Sequence, residues 1–188
     1  MRKFDILDIY RLKNTVFSAK DLALIWKETD LDAIKSGINY YVKTDKLYPI
    51  RRGIYAKDKN YNKFELATKI YTPSYISFET VLAKAGVVFQ FYSQIFVVSY
   101  LTREIIADNQ TYSYKKIKDT VLTNHIGIEN KENYAIAIPE RAFLDIMYLY
   151  KNYHFDNLAP LRREKVLEIL PIYKNKSLEK KVKKLYGS

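Results

Sequence analysis

The stretch that decides the fold of the N-terminal part is LYPIRRGIYA, residues 47–56. Two short extended runs, residues 48–50 and 54–56, flank Arg51, Arg52 and Gly53. Glycine accepts the backbone conformation that a tight turn requires, so the pattern predicts a β-hairpin whose tip is basic. Whether this positive charge contributes to binding depends on the elements that surround the hairpin.

Three helical segments precede the hairpin. Residues 3–13 are broadly helical, and residues 15–17 form a short extended piece. Ser18 and Asp21 fit a capping box, in which side chain and backbone satisfy each other's hydrogen bonds at the start of a second helix. Thr29 or Asp30 can cap a third helix. Apolar residues at spacings of three and four predict its buried stripe: Leu31, Ile34, Ile38, and Tyr41 or Val42.

Helix, helix, turn, helix and basic hairpin is the order of a winged helix-turn-helix. In such a module the third helix enters the major groove and the hairpin approaches phosphates or the minor groove. The predicted DNA-binding residues are the exposed polar face of the third helix, the hairpin tip and one lysine of the second helix: Lys35, Ser36, Asn39, Tyr40, Lys43, Arg51, Arg52 and Lys20. Winged folds also mediate protein contacts, and Asp32 on the same outer face favours that reading.

A polar segment at residues 57–63 predicts a domain boundary, giving domains 1–60 and 61–188. The second is expected to be a mixed α+β domain that ends in helices, so the whole chain is predicted to be α+β. Ser77 is expected to cap a helix that runs to Lys84, and Pro139 to begin another. Tyr75 is expected to face the core with its hydroxyl at the edge, and Arg141 and Asp145 to pair on the surface. The last helix, 177–186, should bury Leu178, Val182 and Leu185 and expose lysines.

Composition excludes several classes of function. Without cysteine there is neither a disulfide nor a thiolate metal site, and two isolated histidines make zinc unexpected, so no metal and no cofactor is predicted. No apolar run approaches the roughly 20 residues of a membrane helix. The N-terminus lacks the features of an export signal, so a cytoplasmic location is expected.

The net charge of +11 is unevenly distributed along the chain. Residues 1–60 carry 13 Lys/Arg against 8 Asp/Glu, residues 61–150 carry 9 of each, and residues 151–188 carry 10 against 4. A basic module attached to a neutral one suits a protein that binds a polyanion such as nucleic acid. The alternative is that the lysines serve solubility only.

The chain resembles the AbiEi family of antitoxins from type IV toxin–antitoxin systems, which include phage abortive-infection loci. The resemblance covers nearly the whole length. It is carried by four motifs: FSAKDL at 17–22, IRRGIY at 50–55, PSYISFETVL at 73–82 and YAIAIPERAFLD at 134–145.

The resemblance implies a transcriptional repressor that binds repeats in the promoter of its own operon, with double-stranded DNA as its partner. It also implies an antitoxin domain that counteracts a nucleotidyltransferase toxin, with or without direct contact. Two alternatives stay open: a one-component regulator that senses a small ligand through its second domain, and a protein-interaction module. An enzyme is not expected, because the five glycines never cluster into a phosphate-binding loop. A nuclease site built from distant carboxylates is the enzymatic alternative.

Overall fold

A computed structural model describes residues 4–186 of the chain. Over these residues the fold is mixed α+β, with nine α-helices and two β-sheets. The chain divides into two compact units. The first extends through Ile70 and takes in Glu132–Tyr134; the second comprises Tyr71–Lys131 and the chain from Ala135 onward.

The first unit alternates short helices with a small sheet. Its elements are α1 (Ile6–Tyr10), β1 (Val16–Ser18), α2 (Ala19–Trp26), α3 (Leu31–Lys43), β2 (Tyr48–Arg51), β3 (Ile54–Ala56) and α4 (Lys63–Ile70). The three strands form an antiparallel sheet in the order β1-β3-β2. The first three helices and the hairpin therefore occur in the predicted order.

The division between the units falls about ten residues after the predicted boundary at residue 60. The cause is Glu65 on α4, whose side chain is buried in the first unit. Its carboxylate accepts hydrogen bonds from the backbone N–H of Thr15 (2.9 Å) and from the Thr15 hydroxyl (2.6 Å). These long-range bonds hold α4 against the first unit.

The second unit is built on a six-stranded sheet. Its strands are β4 (Ser74–Ile76), β5 (Ile95–Ser99), β6 (Arg103–Ala107), β7 (Gln110–Lys116), β8 (Ile128–Lys131) and β9 (Tyr134–Ala137). They lie in the order β6-β7-β5-β4-β9-β8. The pairing is mixed, since β5 runs parallel to β7 and antiparallel to β4. Every residue of β5 is buried, so this strand crosses the core.

Helices of the second unit are α5 (Glu79–Lys84), α6 (Asp119–Leu122), α7 (Pro139–Leu149), α8 (Arg163–Ile169) and α9 (Lys176–Tyr186), with a 3₁₀ turn at Leu170–Tyr173. Helix α7 begins at Pro139 as predicted and is buried from Glu140 to Met147. It packs against α5 and α8, which makes it the central helix of this unit. No helix within residues 4–186 combines the length and apolar character that a membrane span needs.

The predictions for Ser77 and Leu185 in this unit are wrong. Ser77 does not cap α5: Phe78 occupies the N-cap position, no side chain caps the helix, and the Ser77 hydroxyl is used elsewhere. On α9, Leu178 and Val182 are buried as predicted, but Leu185 is 47% exposed because it lies in the last turn, at the edge of the packed surface.

Candidate nucleic-acid interface

Helix α3 is fixed at its start and along its buried side. The Asp30 carboxylate accepts hydrogen bonds from the backbone N–H groups of Asp32 (2.9 Å) and Ala33 (3.4 Å), which caps the first turn. Gly37 lets the Phe4 ring approach the helix, since a Cβ there would lie 3.1 Å from the ring. The Tyr41 hydroxyl donates to the Phe4 carbonyl at 2.6 Å. These contacts set the rotation of α3 about its axis.

That rotation exposes the predicted polar face. Lys35, Asn39 and Lys43 are four residues apart and form one row, and Ser36 and Tyr40 form the next row. All five side chains are exposed. Short and long polar groups along one face of this 13-residue helix present hydrogen-bond donors and acceptors to solvent, and groups of this kind are able to pair with base edges.

One prediction for α3 is wrong. Leu31 was expected in the buried stripe, but its side chain is 70% exposed. It is the first residue of the helix and lies beyond the apolar cluster that covers Ile34, Ile38 and Tyr41. The exposed face of α3 therefore extends one turn further toward its N-terminus, four residues before Lys35.

The hairpin of β2 and β3 has the predicted basic tip. Gly53 has a φ of 76°, a left-handed conformation that glycine adopts without strain. The register shifts between Pro49 and Arg51, so the strand bends as it reaches the turn. Arg51 and Arg52 are both exposed at this tip. Two adjacent residues at the hairpin tip thus expose guanidinium groups to solvent.

A backbone contact joins the hairpin tip to the start of α2. The N–H of Ala19 donates to the Gly53 carbonyl at 2.9 Å, and Ser18 pairs with Ile54 across the sheet. Ser18 and Asp21 form the predicted capping box, so this start is rigid. Lys20, the next residue along α2, is exposed. The start of α2, which carries Lys20, therefore adjoins the hairpin turn.

A groove of about 510 Å³ separates α2 from α3. Lys20 on α2 and Lys35 and Asn39 on α3 line it, together with apolar residues of both helices. Three of the predicted DNA-binding residues thus share one depression. Ser36, Tyr40, Lys43, Arg51 and Arg52 are exposed but do not line it.

Most cations of this surface have no acidic partner. Among residues 4–186, Lys20, Lys43, Arg51 and Arg52 form no ion pair. Lys35 contacts Asp32 at 3.2 Å, but both side chains are largely exposed, and such a pair contributes little stability. The unpaired cations give this surface a positive potential that favours a polyanion.

Asp21 lies near the same surface, and its carboxylate already has hydrogen-bond and ion-pair partners. Its carboxylate accepts from the Ser18 backbone N–H at 2.7 Å and forms an ion pair with Lys69 at 3.0 Å. Burial alone would raise the pKa of Asp21, but these hydrogen bonds and the Lys69 charge hold it below its ordinary value. The Lys69 ammonium offsets the negative charge of Asp21.

The second unit holds a buried polar network. Arg141 and Asp145 on α7 are fully buried, and Nε of Arg141 lies 3.4 Å from Oδ1 of Asp145. Asp145 accepts hydrogen bonds from the hydroxyls of Tyr173 (2.6 Å), Ser77 (2.7 Å) and Tyr75 (3.1 Å). The predicted surface pair is thus wrong, because β4 and the 3₁₀ turn cover this side of α7. The Tyr75 hydroxyl, expected at an edge, is buried.

The rest of the guanidinium is satisfied by backbone carbonyls. Arg141 donates to the carbonyls of Val121 and Ile126, each at 2.7 Å, and to the Tyr75 hydroxyl at 3.1 Å. Burial and the Asp145 carboxylate raise the pKa of Tyr75 and of Tyr173 well above their ordinary value, so both phenols remain protonated donors. A buried network whose hydrogen bonds are satisfied makes the fold rigid and specific.

Glu104 and Asp108 would lie one helical turn apart if their segment were helical. Glu104 lies instead in strand β6. Within the described part of the chain, no three histidine or carboxylate side chains gather closely enough to hold a metal ion. No protein-family model matches the chain, and no curated protein matches it either.

Proposed function

We propose that the first unit is a winged helix-turn-helix that binds double-stranded DNA. Helix α3 enters the major groove with Lys35, Ser36, Asn39, Tyr40 and Lys43 toward the bases. The hairpin is the wing, whose arginines contact phosphates. The order of the elements and the antiparallel β1-β3-β2 sheet support this assignment.

The observation that carries the proposal is that exposed cations come from three adjoining segments of this unit. The bond from Ala19 to Gly53 joins the start of α2, which carries Lys20, to the hairpin turn, and Lys20, Lys35 and Asn39 line the groove between α2 and α3. Such a set of exposed cations suits a polyanion better than a protein partner.

Fluorescence anisotropy with labelled duplexes tests this proposal. One duplex carries the DNA immediately upstream of the chain's own coding sequence, and the other is a scrambled version with the same composition. We expect tighter binding to the upstream duplex, with both affinities falling as salt rises. Absence of binding to either duplex at low salt would exclude the proposal.

We further propose that the chain represses its own operon in the cytoplasm and counteracts a nucleotidyltransferase toxin. This second role is supported by the resemblance of residues 73–82 and 134–145 to the AbiEi antitoxins. Those two motifs supply four members of the buried network: Tyr75, Ser77, Arg141 and Asp145. These motif residues therefore have a structural role, because their hydrogen bonds stabilise the second unit.

Two full-length variants separate the two roles in cells. Arg51→Ala/Arg52→Ala should abolish repression of a promoter fusion and still protect growth when the neighbouring toxin gene is induced. Asp145→Asn should lose protection, because it weakens the fold of the second unit. Loss of protection in the arginine variant at equal soluble level would mean that DNA binding and toxin antagonism are not separable.

A further inference from the structure

The second unit contains a cleft that the proposed DNA binding and toxin antagonism do not use. It lies between the C-terminal end of α7, the segment 150–158 that follows it, and α9. An inner cavity of about 180 Å³ adjoins an outer one of about 630 Å³, and the two share Met147, Lys151, Tyr153, His154, Lys181 and Leu185. The outer volume is within the range of small-molecule sites, about 300–1,000 Å³.

The inner and outer parts of the cleft differ in chemistry. Only the inner cavity is lined by Tyr150, Phe155 and Leu158, which makes it aromatic and apolar. Only the outer one is lined by Asn152 and Lys184, which makes its mouth polar and cationic. A ligand that fits both parts carries a flat apolar ring at one end and negative charge at the other.

Three lysines are the charged residues of the described lining: Lys151, Lys181 and Lys184. The carboxylates of Glu79 and Asp156 contact Tyr153 and His154 of the lining but are not part of it. Among residues 4–186, Lys151 and Lys184 form no ion pair. Nζ of Lys181 donates to the carbonyl of Tyr150 at 3.2 Å and of Met147 at 3.4 Å. An ammonium has three donors, so one donor of Lys181 remains for a ligand.

We propose that this cleft binds a nucleotide. The base lies in the inner cavity against Tyr150 and Phe155, and the phosphates lie at the mouth between Lys151 and Lys184. Stacking on aromatic rings suits any base, while the ammonium groups at the mouth attract phosphate. This binding is independent of the proposed DNA binding, since all residues involved belong to the second unit.

Isothermal titration calorimetry of the full chain tests the proposal. The ligands are the four ribonucleoside triphosphates, the matching nucleosides, tripolyphosphate and a six-nucleotide single-stranded RNA. We expect one-to-one binding of at least one triphosphate, tighter than its nucleoside and tighter than tripolyphosphate. Equal affinity for tripolyphosphate would reduce the cleft to a general anion site, and no binding of any triphosphate would remove it altogether. Tighter binding of the RNA that Lys151→Gln/Lys184→Gln abolishes would also overturn the proposal, in favour of a strand-binding surface.

Matched variants locate the ligand in the cleft. Lys151→Gln/Lys184→Gln should weaken triphosphate binding at least about tenfold, because hydrogen bonds to charged groups are lost. Lys180→Gln/Lys183→Gln removes the same charge from exposed positions of α9 outside the lining and should change affinity less than about twofold. Leu185→Glu, at a half-exposed site in the shared lining, should weaken binding by charge repulsion without unfolding the unit. Equal losses in both lysine pairs would show an effect of overall charge and contradict the assignment.

Discussion

Replacing both tip arginines of the hairpin, Arg51→Ala/Arg52→Ala, should change the salt dependence of DNA binding in a calculable way. Both side chains are exposed and unpaired within residues 4–186, so each is available for one phosphate. Each phosphate contact contributes a log–log slope of about −0.9, so the double variant should be shallower by about 1.8. Between about 50 and about 200 mM salt, the unmodified chain should therefore lose about 12-fold more affinity than the variant.

The assay is fluorescence anisotropy at five or more salt concentrations, with the upstream duplex and its scrambled counterpart. The two duplexes should show the same change in slope, since phosphate contacts carry no sequence information. The control is Lys13→Gln/Lys27→Gln, which removes the same charge. Lys13 precedes the end of β1 that is far from the tip, and Lys27 follows α2 at its opposite end. An unchanged slope in the arginine variant, or an equal change in the control, would refute a wing that contacts phosphates.

Three further changes test individual residues of the two units. Asn39→Ala should reduce the preference for the upstream duplex over the scrambled one by about 1–3 kcal/mol, measured by competition, because a bidentate base contact is lost. Asp145→Asn should lower the free energy of unfolding in urea by about 3–5 kcal/mol, because it leaves the Arg141 charge buried without its partner. Arg162→Gln should destabilise the chain most above pH 4.5. Burial alone would raise the pKa of Glu140, but the hydrogen bonds from Arg162 hold this pKa below its ordinary value of 4.5. The contribution of these hydrogen bonds to the free energy of unfolding is therefore lost as pH falls through that lower pKa.

For each of these changes, one outcome would contradict the reasoning behind the prediction. If Asn39→Ala lowered the affinity for both duplexes equally, Asn39 would contact the DNA backbone rather than a base. Glu168→Gln breaks an exposed pair with Lys165 and should cost less than about 1 kcal/mol, so an equal cost for Asp145→Asn would mean that the buried pair contributes no more than a surface pair. A destabilisation by Arg162→Gln that grows below pH 4.5 would contradict the direction of the Glu140 shift.

Local chemistry explains why much of the first unit could be predicted. The Ser18–Asp21 capping box and the Asp30 cap act within three residues, so their signals are complete in the sequence. Gly53 likewise marks the hairpin turn by its own backbone requirement. The exposed face of α3 followed from the spacing of Ile34 and Ile38. The exposure of Leu31 could not be predicted in this way, because it depends on where the apolar cluster ends.

Long-range partners explain what could not be predicted in the second unit. Ser77 has the composition of a helix cap, yet Asp145, 68 residues away, takes its hydroxyl. The spacing of Arg141 and Asp145 indicated a pair, but their burial depends on β4 and the turn that carries Tyr173. The cleft is assembled from segments near Lys151 and Lys184, and no spacing within either segment indicates it.

DNA binding through α3 and the hairpin tip can be observed residue by residue by NMR. The experiment titrates the ¹⁵N-labelled full chain with the upstream duplex and follows every assigned amide. The largest shift changes should fall on Lys35, Asn39, Lys43, Arg51 and Arg52, and the amides of the second unit should be little affected. If the largest changes fell in the second unit, including the lysine-rich α9, and those five amides did not shift, DNA binding by the first unit would be contradicted.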